Sequence, residues 1–309
     1  MPELPEVEVV RSGLAPAVVG SRVIGIEVFD ERALTRHAVS ALSDPARRSS
    51  SRAADFERRL VNRTIRAAVR RGKFLWFPLD GSDEAMSAHL GMSGQMLLRE
   101  PGAPAERHER IRMSVEHPEH GELAVVFADQ RTFGSLSIDA LVVTRDGAAG
   151  GHGDPLPLVA TQAAHIARDP VDPAFDERAF RETVGRKRSA IKRVLLDQTV
   201  VSGIGNIYAD EALWAARIHP ETLAVDLSTR AVNRLLAEVR LVLAKALAEG
   251  GTSFDAQYVN VNGEAGYFAH SLNAYGRTGE PCPRCERSIA RVAFTNRSSH
   301  FCPRCQRRR

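Results

Sequence analysis

Cysteine is missing from the first 281 residues of this 309-residue chain, and all four cysteines lie from Cys282 onward. A disulfide-stapled secreted scaffold is thereby excluded. No uninterrupted apolar run reaches the roughly 18 residues that a membrane-crossing helix requires. The N-terminal stretch carries neither the basic segment nor the apolar segment of a secretion signal, so the expectation is a cytosolic protein with no membrane partner. Neither sign of charge is in large excess, with 42 Lys plus Arg against 38 Asp plus Glu and a formal net charge of +4. What basic surplus there is concentrates in GRKRSAIKR (185–193) and CPRCQRRR (302–309). Such clusters face a polyanion or form a solvated surface. No internal repeat is present, and the length allows one large domain or two to three modest ones.

The chain opens MPELPEVE, with two prolines and three glutamates where most termini are polar and dispensable. Pro5 suits the first turn of a helix, and Val7, Val10 and Leu14 recur at helical spacing before Gly20. Short β-type runs follow: VIGIEVF, TIRAAVRRGKFLWFPL, MSAHLGMSGQMLL, RIRMSV, LAVVFAD and SLSI, with turn signals that predict an antiparallel sandwich or barrel. LSDPARRSSSRAAD (42–55) reads as a loop, and RDGAAGGHGDPLPL (145–158) as an interdomain linker. Residues 161–250 read as mostly helical, ending in a helix whose apolar face is Val232, Leu235, Leu236, Val239, Leu243 and Leu247, capped by Ser228 and closed by Gly250–Gly251. From about Asn273 the tail is a cysteine-bearing module too short for a core of its own. The predicted domains are thus 1–150, 151–272 and 273–309.

Cys282, Cys285, Cys302 and Cys305 form C-x2-C, sixteen residues, C-x2-C, the spacing of a four-thiolate tetrahedral zinc site. The competing reading is a pair of disulfides, which the poor bridging of each close pair and the cytosolic look of the chain disfavour. Four thiolates leave no open position for water, so one structural Zn2+ is expected and catalysis must come from elsewhere. The stretch between the knuckles predicts a hairpin tip that presents Arg297 outward. HPEHG, with His117 and His120, reads as a plain turn. In QTVVSGIGNIYADEAL (198–213), Gly203, Gly205 and Asn206 separate two apolar helical stretches; the pair of glycines is either a close-approach loop offering N–H groups to a phosphate or an ordinary helix connector. Pro2, once Met1 is trimmed, would carry a free secondary amine with a reference pKa class near 8, nucleophilic at neutral pH. Such an amine attacking a sugar C1′ yields an iminium, an electron sink that invites β-elimination, and Glu3 lies within reach as an acid. Taken alone, MPE reads by default as an N-terminal cap.

Seven motifs in order cover nearly the whole chain: PELPEVE, RRGKFLWF, HLGMSG, DQRTFG, VSGIGNIYADEAL, GYFAHSLNAYGRTGEPC and NRSSHFCPRC. On these the chain resembles the formamidopyrimidine-DNA glycosylase family, within the wider Fpg/Nei superfamily of base-excision repair enzymes. The resemblance implies an α+β multidomain fold: an N-terminal helix plus antiparallel β-sandwich, a helix-two-turns-helix domain and a C-terminal zinc-finger β-hairpin. It implies a bifunctional DNA glycosylase and AP lyase that removes oxidised purines, such as 8-oxoguanine and formamidopyrimidines, from duplex DNA. Pro2 is then the Schiff-base nucleophile, Glu3 the proton donor, Lys73 the residue of β-elimination and Arg297 that of δ-elimination.

The same resemblance places His108, Arg188 and Asn206 on backbone phosphate, Arg131 opposite the estranged cytosine, and Met92 and Phe133 in the hole left by a flipped lesion. An apolar wedge with a hydrogen-bonding arginine offsets part of the cost of flipping. Gln130 and Thr132 depart from the proline and second basic residue of some members, and lesion recognition through backbone amides falls at VNVNGEAGYF (259–268). A monomer is expected. Two other readings stay open: a Nei-like glycosylase for oxidised pyrimidines, which the PELPE start disfavours, and a non-catalytic zinc-dependent DNA-binding protein.

Overall fold

The computed structural model describes residues 2–39, 51–105, 107–252, 261 and 267–308. Their contacts form two compact units, one of the described residues within 2, 6–165 and 261, the other of those within 3–5, 166–252 and 267–308. Helix α1 (Leu4–Val18) has Pro5 in its first turn, where a missing N–H loses no intrahelical partner, and it stops before Gly20 at φ 86°. Val7, Val10 and Leu14 are buried in the first unit's core, as their spacing predicts.

The first unit also contains helix α2 (Arg52–Leu60) and strands β1 (Arg22–Val28), β2 (Val69–Arg71), β3 (Phe74–Pro78), β4 (Glu84–His89), β5 (Gly94–Arg99), β6 (Glu109–His117), β7 (Gly121–Asp129), β8 (Ser135–Val143) and β9 (Leu158–Ala160). One sheet runs β1-β6-β7-β5 and the other β2-β3-β4-β8-β9, with every neighbouring pair antiparallel. Alternation is strict enough to read in β6, where Ile111, Met113 and Val115 face the core. They meet Leu75, Phe77, Met86 and Ile138 of the second sheet in one apolar layer, which makes the unit the expected sandwich.

Two expectations need correction. The loop expected over 42–55 lies partly outside the described residues, but its end is helical: the Ser51 hydroxyl accepts from Ala54 N–H to cap α2, which buries Phe56 and Leu60 one turn apart. The glycine-rich stretch 145–158 is not a linker. His152 exchanges both backbone hydrogen bonds with Arg70 of β2, at 2.8 and 2.9 Å, and the Gly150 carbonyl accepts from Arg71 Nε at 2.7 Å. At Gly151 a Cβ would lie 2.9 Å from the Trp76 ring, so the glycines permit docking rather than freedom. By contacts the first unit continues to His165.

The second unit is helical, with α3 (Glu177–Arg186), α4 (Ile191–Leu196), α5 (Asn206–Ala215) and α6 (Thr229–Ala248) around one core. The expected caps of α6 are present: Ser228 accepts from Ala231 N–H, and Gly250 and Gly251 take φ 74° and 79° while Gly251 N–H reaches the Ala246 carbonyl at 2.8 Å. Strands β10 (Ala290–Phe294) and β11 (Arg297–Phe301) form the C-terminal hairpin, with Thr295 at φ 54° in its turn. The module's few apolar groups, Ala274, Ile289, Cys282 and Cys302, cluster on Trp214 of α5. Among the described residues no helix is long and apolar enough to cross a membrane.

Candidate functional site

In the second unit, Glu3 is 2% exposed and its carboxylate caps α5: Oε2 accepts from Gly205 N–H at 2.5 Å and Oε1 from Ile207 N–H at 3.0 Å. The positive end of the helix and its unpaired N–H groups suit an anion. That anion is the protein's own side chain, so the N–H groups that one of the two sequence readings offered to a phosphate are already occupied. Both glycines are required for it. A Cβ on Gly205 would lie 2.7 Å from Glu3 Cγ and closer still to Cδ, and Gly203, at φ 88°, sits against Leu4 while its carbonyl accepts Leu4 N–H at 2.9 Å. The opening residues are therefore held by burial and by long-range hydrogen bonds.

The acids of α5 are buried as well. Asp210 takes Lys192 Nζ at 2.7 Å and His300 N–H at 2.9 Å. Burial pulls the Lys192 ammonium below the ordinary lysine range, against the opposing charge of Asp210. Lys192 Nζ and Asn206 Nδ2 both donate to the Ser298 carbonyl, at 2.8 and 3.1 Å. This fixes the residue beside exposed Arg297, and the Asn206 side chain also hydrogen-bonds Tyr275. Glu211 accepts from the backbone N–H of Asn273, Ala274 and Tyr275. Sequence reading missed Lys192, Asp210 and Glu211; charged residues inside otherwise apolar helical runs were the available signal. Arg188 lies between α3 and α4.

In the first unit, Pro2 is buried and Lys73 occupies the two-residue turn between β2 and β3, after Gly72 at φ 55°. The paired arginines before it are fasteners. Arg70, 3% exposed, bonds Glu8 of α1 at 2.7 Å through Nε and the Gly72 carbonyl at 3.2 Å through Nη1, tying the Lys73 turn to the helix. Burial alone would raise the Glu8 carboxyl, but Arg11 and Arg70 outweigh it and hold Glu8 below the usual range. His89 lies in the field of Lys73 and Arg36. Burial first, then those two cations, lower it to about 4, and its Nδ1 accepts Gly91 N–H at 3.2 Å, so Nε2 carries the proton of a neutral ring.

The HLGMSG and DQRTFG loops interlock. Buried Asp129 accepts from Ser93 Oγ (2.6 Å), Arg131 N–H (3.1 Å) and Gly134 N–H (2.7 Å). At Gly91, φ 61°, a Cβ would lie 2.6 Å from Gly134 N, so only glycine allows the two backbones to meet. The result projects Met92 (41% exposed), Phe133 (60%) and Arg131 together, with Arg131 Nη1 3.7 Å from Met92 Sδ. Large apolar side chains presented in this way mark a contact surface. His108, at φ 63°, keeps a buried Nε2 without a hydrogen-bond partner among the described residues. His117 and His120 form the plain β6–β7 turn expected, with rings stacked 4.4 Å apart. The segment 259–268 falls mostly outside the described residues.

The four cysteine sulfurs lie within 4.8 Å of one another, two pairs at 3.5 Å. A tetrahedral zinc with Zn–S near 2.3 Å needs sulfurs about 3.8 Å apart, so the donor set fits one ion. Burial, with hydrogen bonding to Cys285 and Cys302, pushes the Cys305 thiol up to about 12, and a cation held by the four sulfurs would favour their thiolate forms. Trp214 Nε1 donates to Cys282 Sγ at 3.4 Å, and Gln306 bridges Cys302 N–H and the Ile218 carbonyl. The centre is closed and structural.

Three family models match the chain: the formamidopyrimidine-DNA glycosylase N-terminal domain over residues 1–136, the formamidopyrimidine-DNA glycosylase H2TH domain over 166–257, and the zinc finger found in FPG and IleRS over 279–308. The formamidopyrimidine-DNA glycosylase of Leifsonia xyli subsp. xyli is 60% identical over 308 residues, covering 99% of this chain and 100% of its own. That of Thermobifida fusca is 53% identical over 312 residues, covering 100% of this chain and 98% of its own. Lactococcus lactis Fpg in complex with DNA containing an abasic site superposes with a TM-score of 0.78 at 31% identity, covering 99% of this chain and 100% of that one. The same protein with DNA containing an oxidised pyrimidine gives 0.78 at 32% identity and the same coverage.

Proposed function

Because the chain belongs to the formamidopyrimidine-DNA glycosylase family, we propose that it is a bifunctional glycosylase and AP lyase that removes oxidised purines from duplex DNA and cleaves the strand by β,δ-elimination. The observation that carries the reading is the burial of Glu3 on the N-terminus of α5, which fixes the residue next to Pro2 by hydrogen bonds to Gly205 and Ile207. A dispensable terminus has no use for such a seat.

With Met1 removed, the Pro2 nitrogen attacks C1′ of the damaged nucleotide. The N–C1′ bond forms, the glycosidic bond breaks with its electron pair leaving on the base, and the base takes up a proton. The proton that the Pro2 nitrogen loses passes by way of the Glu3 carboxylate to the opening sugar oxygen, which leaves an iminium between Pro2 and C1′. The iminium acidifies C2′; loss of that proton, with Lys73 as the base, breaks the C3′–O bond. A second proton loss and C–O cleavage at C5′, with Arg297 at the leaving phosphate, completes δ-elimination. Hydrolysis of the iminium by water returns free Pro2.

His108, Arg188 and Asn206 hold backbone phosphate, and Arg131 pairs with the orphaned cytosine. Met92 and Phe133 fill the gap in the stack; their joint exposure beside Arg131 supports this role. Backbone amides of 259–268 read the lesion. The zinc hairpin provides a fixed platform for Arg297, and its own chemistry is to cross-link four thiolates. The protein acts on DNA as a monomer in the bacterial cytosol and nucleoid.

The test is borohydride trapping of untagged protein on duplexes with 8-oxoguanine opposite cytosine and, in parallel, thymine glycol, with the cross-linked peptide identified by mass spectrometry. An adduct at Pro2 favouring 8-oxoguanine is expected. Preference for thymine glycol would move the enzyme to oxidised pyrimidines, a reading that the oxidised-pyrimidine complex of the Lactococcus relative keeps in view. Tight binding without any adduct would leave a non-catalytic DNA-binding protein.

A further inference from the structure

A cleft of about 550 Å³ opens in the second unit between α4 and the turn of the β10–β11 hairpin. Lys187, Arg193 and Arg297 bring three cations to it and Asp197 one carboxylate, while Leu196 and Phe294 supply apolar wall. Asp197 cancels one of the cations: Lys187 Nζ lies 3.1 Å from its Oδ2, and its Oδ1 is held by Thr199 N–H and Oγ1 at 3.1 and 2.6 Å. Burial would raise Asp197, but Thr199 and Lys187 outweigh it and keep the carboxyl low and charged at neutral pH. The net charge of the cleft therefore resides on Arg193 and Arg297. Both are accessible from the cleft, and neither side chain makes a hydrogen bond or ion pair among the described residues.

Two unpaired guanidinium groups sharing a wall with an aromatic ring and an aliphatic side chain match one ligand chemistry well. A phosphodiester oxygen pair takes the planar fork of an arginine, and the adjoining deoxyribose presents an apolar face to the wall. We propose that this cleft is a subsite for one further sugar–phosphate unit of the bound DNA strand, next to the phosphate at Arg297, with Arg193 as its phosphate ligand. The assignment rests on the DNA-repair reading given above. Arg193 stands apart from the contacts that the family motifs supply.

The experiment is equilibrium binding of the untagged, zinc-loaded protein to a duplex with a non-cleavable tetrahydrofuran abasic site between about 50 and 200 mM KCl. Each phosphate contact contributes about 0.9 to the slope of log K against log salt. Arg193→Ala should flatten the slope by about one unit, Arg193→Lys should restore it, and Arg178→Ala, an exposed α3 arginine paired with Glu182, should leave it unchanged. A methylphosphonate walked along the strand should weaken the wild type at one position at which Arg193→Ala no longer responds. A wild-type slope in Arg193→Ala, equal flattening in Arg178→Ala, or no such position would overturn the subsite while DNA binding stood. A wild type that binds without salt dependence would overturn the DNA reading itself, and the subsite with it.

Discussion

Substituting Gly205 by alanine attacks the seat of Glu3 without touching a side chain assigned to the chemistry. The new Cβ would lie 2.7 Å from Glu3 Cγ, and closer to Cδ and Oε1, so the carboxylate has to leave the N–H groups of Gly205 and Ile207. Hydrogen bonds to a charged acceptor contribute about 1.5–3 kcal/mol each, and water returns part of that when it reaches the vacated N–H groups. A net loss of about 3 kcal/mol in the fixing of Glu3 is expected from those values. If the carboxylate must occupy this position in the transition state, the loss appears in the barrier as a fall in rate on the order of 100-fold. The assay is single-turnover excision of 8-oxoguanine together with borohydride trapping on a pre-formed abasic site, with Tm and bound zinc as controls for folding. Wild-type excision and trapping rates in a folded Gly205→Ala protein would refute the reasoning, because Glu3 would then work as well away from its seat as in it.

The exposed wedge should separate activity from stability. Met92→Ala and Phe133→Ala remove side chains that are 41% and 60% exposed, so Tm should hardly move while excision of a base-paired lesion falls at least about tenfold and cleavage of a pre-formed abasic site changes less. Asp210→Asn leaves the fully buried Lys192 with a weakened partner, and about 3–5 kcal/mol of stability should be lost in urea unfolding. His89 gives a pH signature. Its folded pKa of about 4 lies below the ordinary 6.5, so the unfolded chain binds the proton first as pH falls. Its contribution, at most about 3 kcal/mol, is complete above about pH 6.5 and is lost as pH drops from there to about 4. His89→Gln should flatten that part of the stability profile relative to wild type in urea melts at about pH 7 and about pH 4.5. Chelation of zinc by a strong thiophilic chelator should release one ion per chain and abolish duplex binding, and binding that survived complete removal would deny the hairpin its role as platform.

Much of this protein is written locally. Cysteines at C-x2-C spacing reach one ion because two tight knuckles place four sulfurs close together, and the short sulfur–sulfur distances follow from the spacing once the hairpin forms. The caps of α6 and the alternation of β6 are likewise local, since each depends on residues within one or two turns or along one strand. The family motifs supplied the candidates Pro2, Glu3, Lys73 and Arg297 as residue types at positions, without geometry. α2 went unread because serine and arginine dominate its approach, although Ser51 followed by Phe56 and Leu60 at helical spacing was a legible cap and face.

What only the tertiary structure decided is where long-range partners meet. Glu3 bonds to a backbone N–H 202 residues away, and no local pattern states that the anion for the glycine loop comes from the chain's own opening residues. Arg70 and Arg71 are consecutive cations in the sequence, a pattern usual on a solvated surface, yet they are buried fasteners, because Glu8 and the Gly150 carbonyl arrive from distant segments. The glycines at 150–153 are permissive in any linker and in any close docking, and the approach of β2 selects the docking. Residue type limits which contacts are chemically possible. Which of them form depends on loop closure over tens to hundreds of residues, and that cost is met only when the whole core condenses.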